Sequence, residues 1–287
     1  MPANGLSLAL HKNRAAAGGG VVFPLDTLVS QGASIIAAYS VRRLLTSYTG
    51  VCGRLRGNGS GSPEADIPFT VEGWMDMMAA EALIASGGGT AGFWVNWKDQ
   101  AGSFHASNAT ASTQPRYSFD PFLNPSIGGT AVTNAILAMN LGTLSDPLFF
   151  QIVIARFGTV SKHLFATTSA TTTPTIRVLM NRARACFGST IDGTIPLTST
   201  SRIGVLSHGA NSKIYVNETL DVTGNAGGGT LDYSNARFGR ASDSSGSNNS
   251  WFQTSNNRIY ECVIFQGNPT GLAGWSDFVT TERNAFL

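Results

Sequence analysis

KIYVNETLDV, residues Lys213 to Val222, carries two short alternating apolar and polar arms on either side of Asn217-Glu218. Alternation with period two is the mark of a half-buried strand, and asparagine tolerates the positive φ that a tight hairpin turn demands. The stretch therefore predicts a β-hairpin. Working outward, similar runs recur at Gly92 to Trp97 (GFWVNW), Leu148 to Phe157 (LFFQIVIARF), His163 to Thr168 and Thr175 to Phe187. Others lie at Val51 to Arg56, Arg202 to Ser207, Arg237 to Gly239 and Arg258 to Phe265 (RIYECVIF). Helical spacing is read at Ala37 to Leu45, at Thr70 to Ser86 and at Gly271 to Phe286. In the second of these, Met75, Met77 and Met78 read as core filler; in the third, Leu272, Trp275, Phe278 and Val279 share one face. Many strands, Gly-rich turns such as Gly57 to Pro63, and no βαβ rhythm leave a sandwich or a barrel.

Bulk composition agrees. The chain has 287 residues, 42% of them hydrophobic, enough for a full core and against wholesale disorder. Only 13% are charged, with Ser, Thr, Asn and 33 glycines supplying the polarity instead. The net charge is +2, and the 15 arginines are dispersed rather than massed. Without a basic stripe, nucleic acid is excluded as an expected partner. No run of 18 apolar residues exists, so no membrane span is expected. Met1 to Val22 lacks the continuous apolar core of a signal peptide. Residues 1–24 read instead as an N-terminal anchoring arm closed by the hinge at Gly18-Gly19-Gly20, and residues 25–287 as one domain. Cys52, Cys186 and Cys262 have neither the number nor the spacing for a disulfide framework or a zinc site and read as buried free thiols. His11, His105, His163 and His208 are scattered, and no G-x-S-x-G elbow exists, so no metal site, cofactor or serine triad is expected.

Two stretches carry a resemblance. AAYSVRRLLTSYTGVCGRLRGNGSGSPEADI, Ala37 to Ile67, and WVNWKDQAGSFHASNAT, Trp94 to Thr110, resemble the catalytic domain of fungal α-L-arabinofuranosidase B and its relatives in bacteriophage genomes. In that family a Tyr-Thr-Gly precedes a basic strand and an Asp-Ile, and a Tyr-Asp-Gln-Ser-Gly-Asn-Gly segment follows. The last part, from Phe238-Gly239 through Asp243 to RIYECVIF, is similar to the family's final strands. The resemblance implies a concanavalin A-like jelly-roll β-sandwich; with the few short helices and extended N-terminal arm read above, the fold expected is mainly β.

It does not carry the chemistry across intact. Retaining glycosidases need two carboxyl groups about 5–5.5 Å apart. The resemblance places the family's nucleophilic Glu on Thr175 to Phe187, a segment without a carboxylate, where Asn181 or Arg182 falls at its position. The family's acid matches Asp243, and its vicinal cysteine pair is missing. The expectation is therefore that the chain is not an enzyme.

The candidate glycan-binding residues are Asp243, Asn248, Trp251, Asp99 and Gln100. Trp251-Phe252 beside the polar Asp243 to Ser250 loop offers an aromatic face with hydroxyl and amide neighbours, the combination that sugars stack on. The same loop lacks the carboxylates of a tight calcium site. Asp99 and Gln100, with His105 nearby, form a polar group whose competing reading is a turn tied to the backbone. Trp94, Trp97 and Tyr117 read mostly as core, and Arg177, Arg182 and Arg184 as a solvated strand face.

The function expected is that of a bacteriophage virion protein (tail fibre, tail tip or capsid decoration) whose lectin-like domain contacts host surface glycans. Its partners would be other virion proteins, met through the arm, and further copies of itself in a homo-oligomer. One alternative is a glycoside hydrolase acting on surface polysaccharide, pairing Asp243 with Asp99 or Glu261. Glu261 lies within an apolar strand and reads equally as a buried structural carboxylate that needs a partner. The other alternative is a purely architectural subunit.

Overall fold

A computed structural model of the chain describes residues 23–119, 124–128, 135–155, 162–167, 174–179, 181–198, 200–239 and 257–286. The proposed arm lies outside them except for Phe23 and Pro24. The strands among these residues, numbered along the chain, form two large antiparallel sheets and one small one.

The eight-stranded sheet contains β1 (Ser34–Ser40), β6 (Tyr117–Phe119), β7 (Pro125–Gly128) and β10 (Leu148–Ala155). Its other members are β15 (Thr200–Ser207), β16 (Ser212–Val216), β17 (Thr219–Gly224) and β20 (Arg258–Gln266). Their spatial order is β17-β16-β15-β10-β20-β7-β6, with β1 also paired to β20. The ten-stranded sheet contains β2 (Gly53–Gly57), β3 (Glu64–Ile67), β4 (Gly92–Trp97), β5 (Ala106–Ser107) and β8 (Leu137–Met139). It is completed by β11 (Lys162–Ala166), β12 (Thr175–Leu179), β13 (Arg182–Cys186), β14 (Thr190–Asp192) and β19 (Ala236–Phe238). Here the order is β14-β13-β12-β11-β19-β8-β5-β4-β2-β3. A two-stranded ribbon pairs β9 (Thr143–Ser145) with β18 (Thr230–Asp232).

The two large sheets face each other across one continuous core. Alternate residues point inward: Phe150, Ile152 and Ile154 from β10, Ile203 and Val205 from β15, Phe165 from β11, Phe238 from β19 and Trp97 from β4. Tyr39, Trp97, Phe238, Phe165 and Phe150 form a chain of tilted and edge-to-face ring contacts with centroids 5.2–6.0 Å apart. Such contacts add to the area term that drives the burial. This is a concanavalin A-like jelly-roll β-sandwich, as expected.

The outer face of the eight-stranded sheet is covered. Ala38, Phe149, Leu206, Val263 and Phe265 point away from the first core and into a second. Helices α1 (Asp26–Ser30) and α3 (Trp275–Phe286) close it with Leu28, Phe278 and Val279. The remaining helix, α2 (Met77–Ala85), packs near β2 and β3, its first turn capped by the Asp76 carboxylate accepting from the Ala79 amide at 3.0 Å.

Several local expectations are corrected. Ala37 to Leu45 is not a helix: its first part is β1, whose Ala37 and Tyr39 face the sandwich while Ala38 faces the helices. Pairing with β20 decides the conformation over local spacing. Thr175 to Phe187 is not one strand but the hairpin β12–β13, turning at Asn181 with φ of 72°. The helix foreseen from Thr70 begins only at Met77. Met75 is buried as core, whereas Met78 is exposed. The hairpin read from Lys213 to Val222 is present, with φ of 48° at Asn217 and 73° at Glu218. Cys52, Cys186 and Cys262 are buried free thiols.

Candidate functional site

The outer face of the ten-stranded sheet is built differently. One row of mutually opposite residues crosses all ten strands. From one edge it runs Thr190, Cys186, Thr175, Ala166 and Arg237. It continues through Ala138, Ser107 and Asn96 to Arg54 and Asp66 at the other edge. Directly opposite residues of neighbouring strands lie on the same face. The row points outward because its flanking residues, Ala236 and Phe238 on β19 and Leu137 and Met139 on β8, point into the core. Ala138 and Ser107 have short, accessible side chains and form a low floor beside Arg237, whereas Ala166 and Thr175 on its other side are buried.

Charge is organised along this face. At one rim Arg54 pairs with Glu64 at 3.0 Å and Asp66 at 3.3 Å. Toward the other, in the adjacent row, Asp192 is opposite Arg184, Arg184 is opposite Arg177, and Arg177 is opposite His163. Asp192 and Arg184 form a two-pronged ion pair, one bond of it 2.6 Å. Burial, and then the Arg184 charge, lower the proton affinity of Arg177. The Arg237 Nε is buried and has no hydrogen-bond partner among the described residues.

The floor depends on close backbone approach at its Arg54 end. A Cβ at Gly53 would sit 2.5 Å from the Asn96 carbonyl oxygen and 2.7 Å from the Trp94 ring. Only glycine lets β2 lie against β4 there. Beyond it Arg56 stacks 5.0 Å from the Phe93 ring centroid, the one aromatic–guanidinium pair on this side of β4 among the described residues.

Asp99 and Gln100 stand next to each other, but inside the molecule. Asp99 is fully buried and accepts from the amides of Ala38 at 2.8 Å, Ala101 at 2.9 Å and Phe104 at 3.2 Å. Gln100 Oε1 accepts from the Leu44 amide at 2.7 Å, and its Nε2 donates to the Arg42 carbonyl at 2.8 Å. The pair ties the turn after β4 to the segment around β1, and so one large sheet to the other. Asp99 also fixes the turn locally, while its own amide donates to His105 Nδ1 at 3.2 Å. Asp243, Asn248 and Trp251 lie outside the described residues. Asp243 follows Gly239, just past β19, by four positions.

Glu261 has the partner its position requires. It is fully buried, accepts from Ser40 Oγ at 2.6 Å, and pairs with Arg42 Nε at 3.0 Å and Nη2 at 3.3 Å. Arg42 in turn lies 5.4 Å from the ring centroid of Phe286 on α3. Neither Asp99 nor Glu261 is open to a substrate, so neither can act as the second carboxylate of a hydrolase. A separate cleft of about 330 Å³ lies between the eight-stranded sheet and α3, lined by Gln151, Tyr215 and Trp275. Its one carboxylate, Glu218, is held by Arg202. The floor residues and Arg237 went unnoticed in the sequence; the visible signal was an arginine between inward-facing residues in NARFG.

Comparison with known proteins bears on this geometry. No family model and no curated protein matches the chain. Solved structures do. A GH54 α-L-arabinofuranosidase soaked with a cyclic sulfate inhibitor matches over 90% of this chain with a TM-score of 0.64 and 14% identity. An arabinofuranosidase complexed with arabinofuranosyl-α-1,2-xylobiose matches over 90% with a TM-score of 0.60 and 15% identity. The chain spans 65% of the length of those enzymes. At such identity the likeness establishes a shared fold. It also overturns the expectation of a non-enzyme, because the scaffold found over nine-tenths of the chain is that of a glycoside hydrolase.

Proposed function

We propose that this chain is a glycoside hydrolase acting on polysaccharide, with the glycan laid across the outer face of the ten-stranded sheet. One observation carries the reading: the accessible short side chains of Ala138 and Ser107 between the donors Arg237 and Asn96, on the sheet face that α1 and α3 do not cover in an arabinofuranosidase-like sandwich. Extended glycans suit a long shallow surface, and guanidinium, hydroxyl and amide groups at regular strand spacing match sugar hydroxyls. Asp243 follows the strand that bears Arg237 and takes the part of general acid, protonating the departing glycosidic oxygen while a water molecule adds to the anomeric carbon and releases its proton to solvent, from which Asp243 is protonated again.

The test is release of reducing ends from a panel of polysaccharides and from arabinofuranosyl-α-1,2-xylobiose. Asp243→Asn is expected to lower kcat roughly 10²–10⁴-fold with KM little changed, the usual range for loss of a positioned acid. Binding without cleavage by the unaltered protein, or full activity in Asp243→Asn, rejects the catalytic assignment. The glycan is proposed to be a host surface polysaccharide met by a bacteriophage particle, with residues 1–24 anchoring the domain and copies assembling as a homo-oligomer. Mass spectrometry of purified virions tests this placement, and absence of the polypeptide rejects it.

A further inference from the structure

We propose that the cleft between the eight-stranded sheet and α3 is a binding site for one or two uncharged sugar residues. The inference goes beyond the hydrolase reading and does not rest on it: this cleft and the proposed glycan face lie on opposite sides of the sandwich. Its volume of about 330 Å³ is near the lower end of the roughly 300–1,000 Å³ of small-molecule pockets, which suits a short sugar unit.

The roofed face turns polar here. Val263, Gln151, Gly204 and Tyr215 stand opposite one another across four strands. Val263 belongs to the apolar core under the helices, whereas the next two positions are an amide and a glycine. A Cβ at Gly204 would come 2.9 Å from the Phe149 ring, so a side chain there would push that ring off the strand. The Phe149 ring meets Trp275 edge to face at 5.3 Å and Tyr215 at 6.0 Å. Phe265 and Phe278 hold the same indole at 6.2 and 5.4 Å. Trp275 and Tyr215 stay half-buried and line the cleft. Aromatic walls fixed from behind give a sugar ring an apolar surface to pack on with little further loss of side-chain freedom.

The polar groups meet the same space. Glu218 has φ of 73°, a conformation in which a hairpin turn favours glycine and other residues are strained. Such strain persists where the side chain is needed. Glu218 Oε1 accepts from Arg202 Nη1, and both residues line the cleft. Its Oε2 makes no hydrogen bond among the described residues, and neither do the Tyr215 hydroxyl, the Trp275 indole nitrogen or the Ser276 hydroxyl. One carboxylate oxygen and three donors around a single opening complement sugar hydroxyls, which both donate and accept. The lining holds one carboxylate and one guanidinium, already paired with each other, so an uncharged ligand leaves no buried charge without its partner. A sugar held here would keep the chain on a polysaccharide and raise its local concentration at the far face.

The experiment is calorimetric titration of the whole chain with arabinotriose, xylotriose and cellotriose as uncharged probes and trigalacturonate as the charged one. The variants are Ser276→Phe, which fills the cleft mouth from an exposed helix position, Tyr215→Phe, which removes only a hydroxyl, and Arg237→Ala on the other face. Each is first checked for an unchanged thermal melt. The expected result is binding of at least one uncharged trisaccharide, weakened about ten-fold or more in Ser276→Phe and about three-fold in Tyr215→Phe. If Ser276→Phe does not fold, Tyr215→Phe and Glu218→Gln decide, each expected to weaken binding about three-fold. Binding that persists in Ser276→Phe and is lost in Arg237→Ala overturns the inference and assigns the sugar to the glycan face instead. No binding of any uncharged probe also overturns it, and leaves the hydrolase reading to its own assay of released reducing ends. Trigalacturonate bound more tightly than every uncharged probe, and lost in Ser276→Phe, overturns the uncharged class.

Discussion

The two outer faces of this sandwich come from the same kind of antiparallel sheet and have opposite fates. On the eight-stranded sheet, Phe149, Leu206, Val263 and Phe265 point outward, and helices α1 and α3 roof them over with Leu28, Phe278 and Val279. On the ten-stranded sheet the outward positions Arg177, Arg184, Ala138 and Arg237 are partly exposed, and neither α1 nor α3 covers them. A sheet face is covered when its alternate residues are apolar and left open when they are polar. Apolar burial is therefore concentrated outside one sheet and charged groups outside the other. The charged pairs follow the same division: Arg42–Glu261 is sealed under α3, whereas Arg54–Asp66 and Arg184–Asp192 are partly open to water.

Replacement on each side tests that division. The largest effect is expected from Glu261→Ala, which strands the Arg42 charge in the interior and should cost about 3–5 kcal/mol in urea unfolding. Phe149→Ala, cutting a ring from the roofed core, should cost about 3–5 kcal/mol in the same assay. Either variant melting like the unaltered protein would dissolve the contrast. On the other face, Arg237→Ala removes a half-buried guanidinium whose Nε has no partner among the described residues, and should cost no more than about 1 kcal/mol. A loss above about 2 kcal/mol there would reclassify Arg237 as structural.

The smallest effect concerns pH. His105 has its proton affinity lowered by burial and by the Lys98 charge, and its Nδ1 accepts from the Asp99 amide. The unfolded chain then binds a proton at His105 more readily than the folded one. Folding stability should be fully present above the ordinary histidine value of about 6.5 and decline as pH falls through the lower folded value. His105→Gln should flatten that decline in a series of thermal melts; an identical pH profile would show that the imidazole is not linked to folding.

Sequence reading succeeded where local chemistry and tertiary demand coincide. The hairpin at Asn217-Glu218 needs positive φ at both turn residues, and asparagine announces it. The runs that became β10 and β20 are mostly apolar because both of their faces are buried, with Gln151 and Glu261 as polar residues inside them. Reading failed at β1, where Ala37, Ala38 and Tyr39 fit either period and pairing with β20 decides. It missed the β12–β13 turn because Asn181, which takes the positive φ there, has no glycine or proline beside it in sequence. Asp99 and Gln100 were legible as a polar group, but their partners at Ala38 and Leu44 lie some sixty residues away. The row through Arg237 was invisible for a stronger reason: it joins ten separate strands between residues 54 and 237, and register is a property of the assembled sheet.

Strand β20 lies at the centre of the roofed sheet, with β10 along one side and β1 and β7 sharing the other. Its residues, 258–266, are synthesised more than 200 positions after those of β1. On a ribosome, β1, β7 and β10 thus emerge with exposed edges and must wait for the strand that joins them. High contact order of this kind slows folding, and open strand edges invite pairing with neighbouring chains. Expression yield should therefore depend on how quickly the last thirty residues follow, and slow synthesis of that segment should favour aggregation.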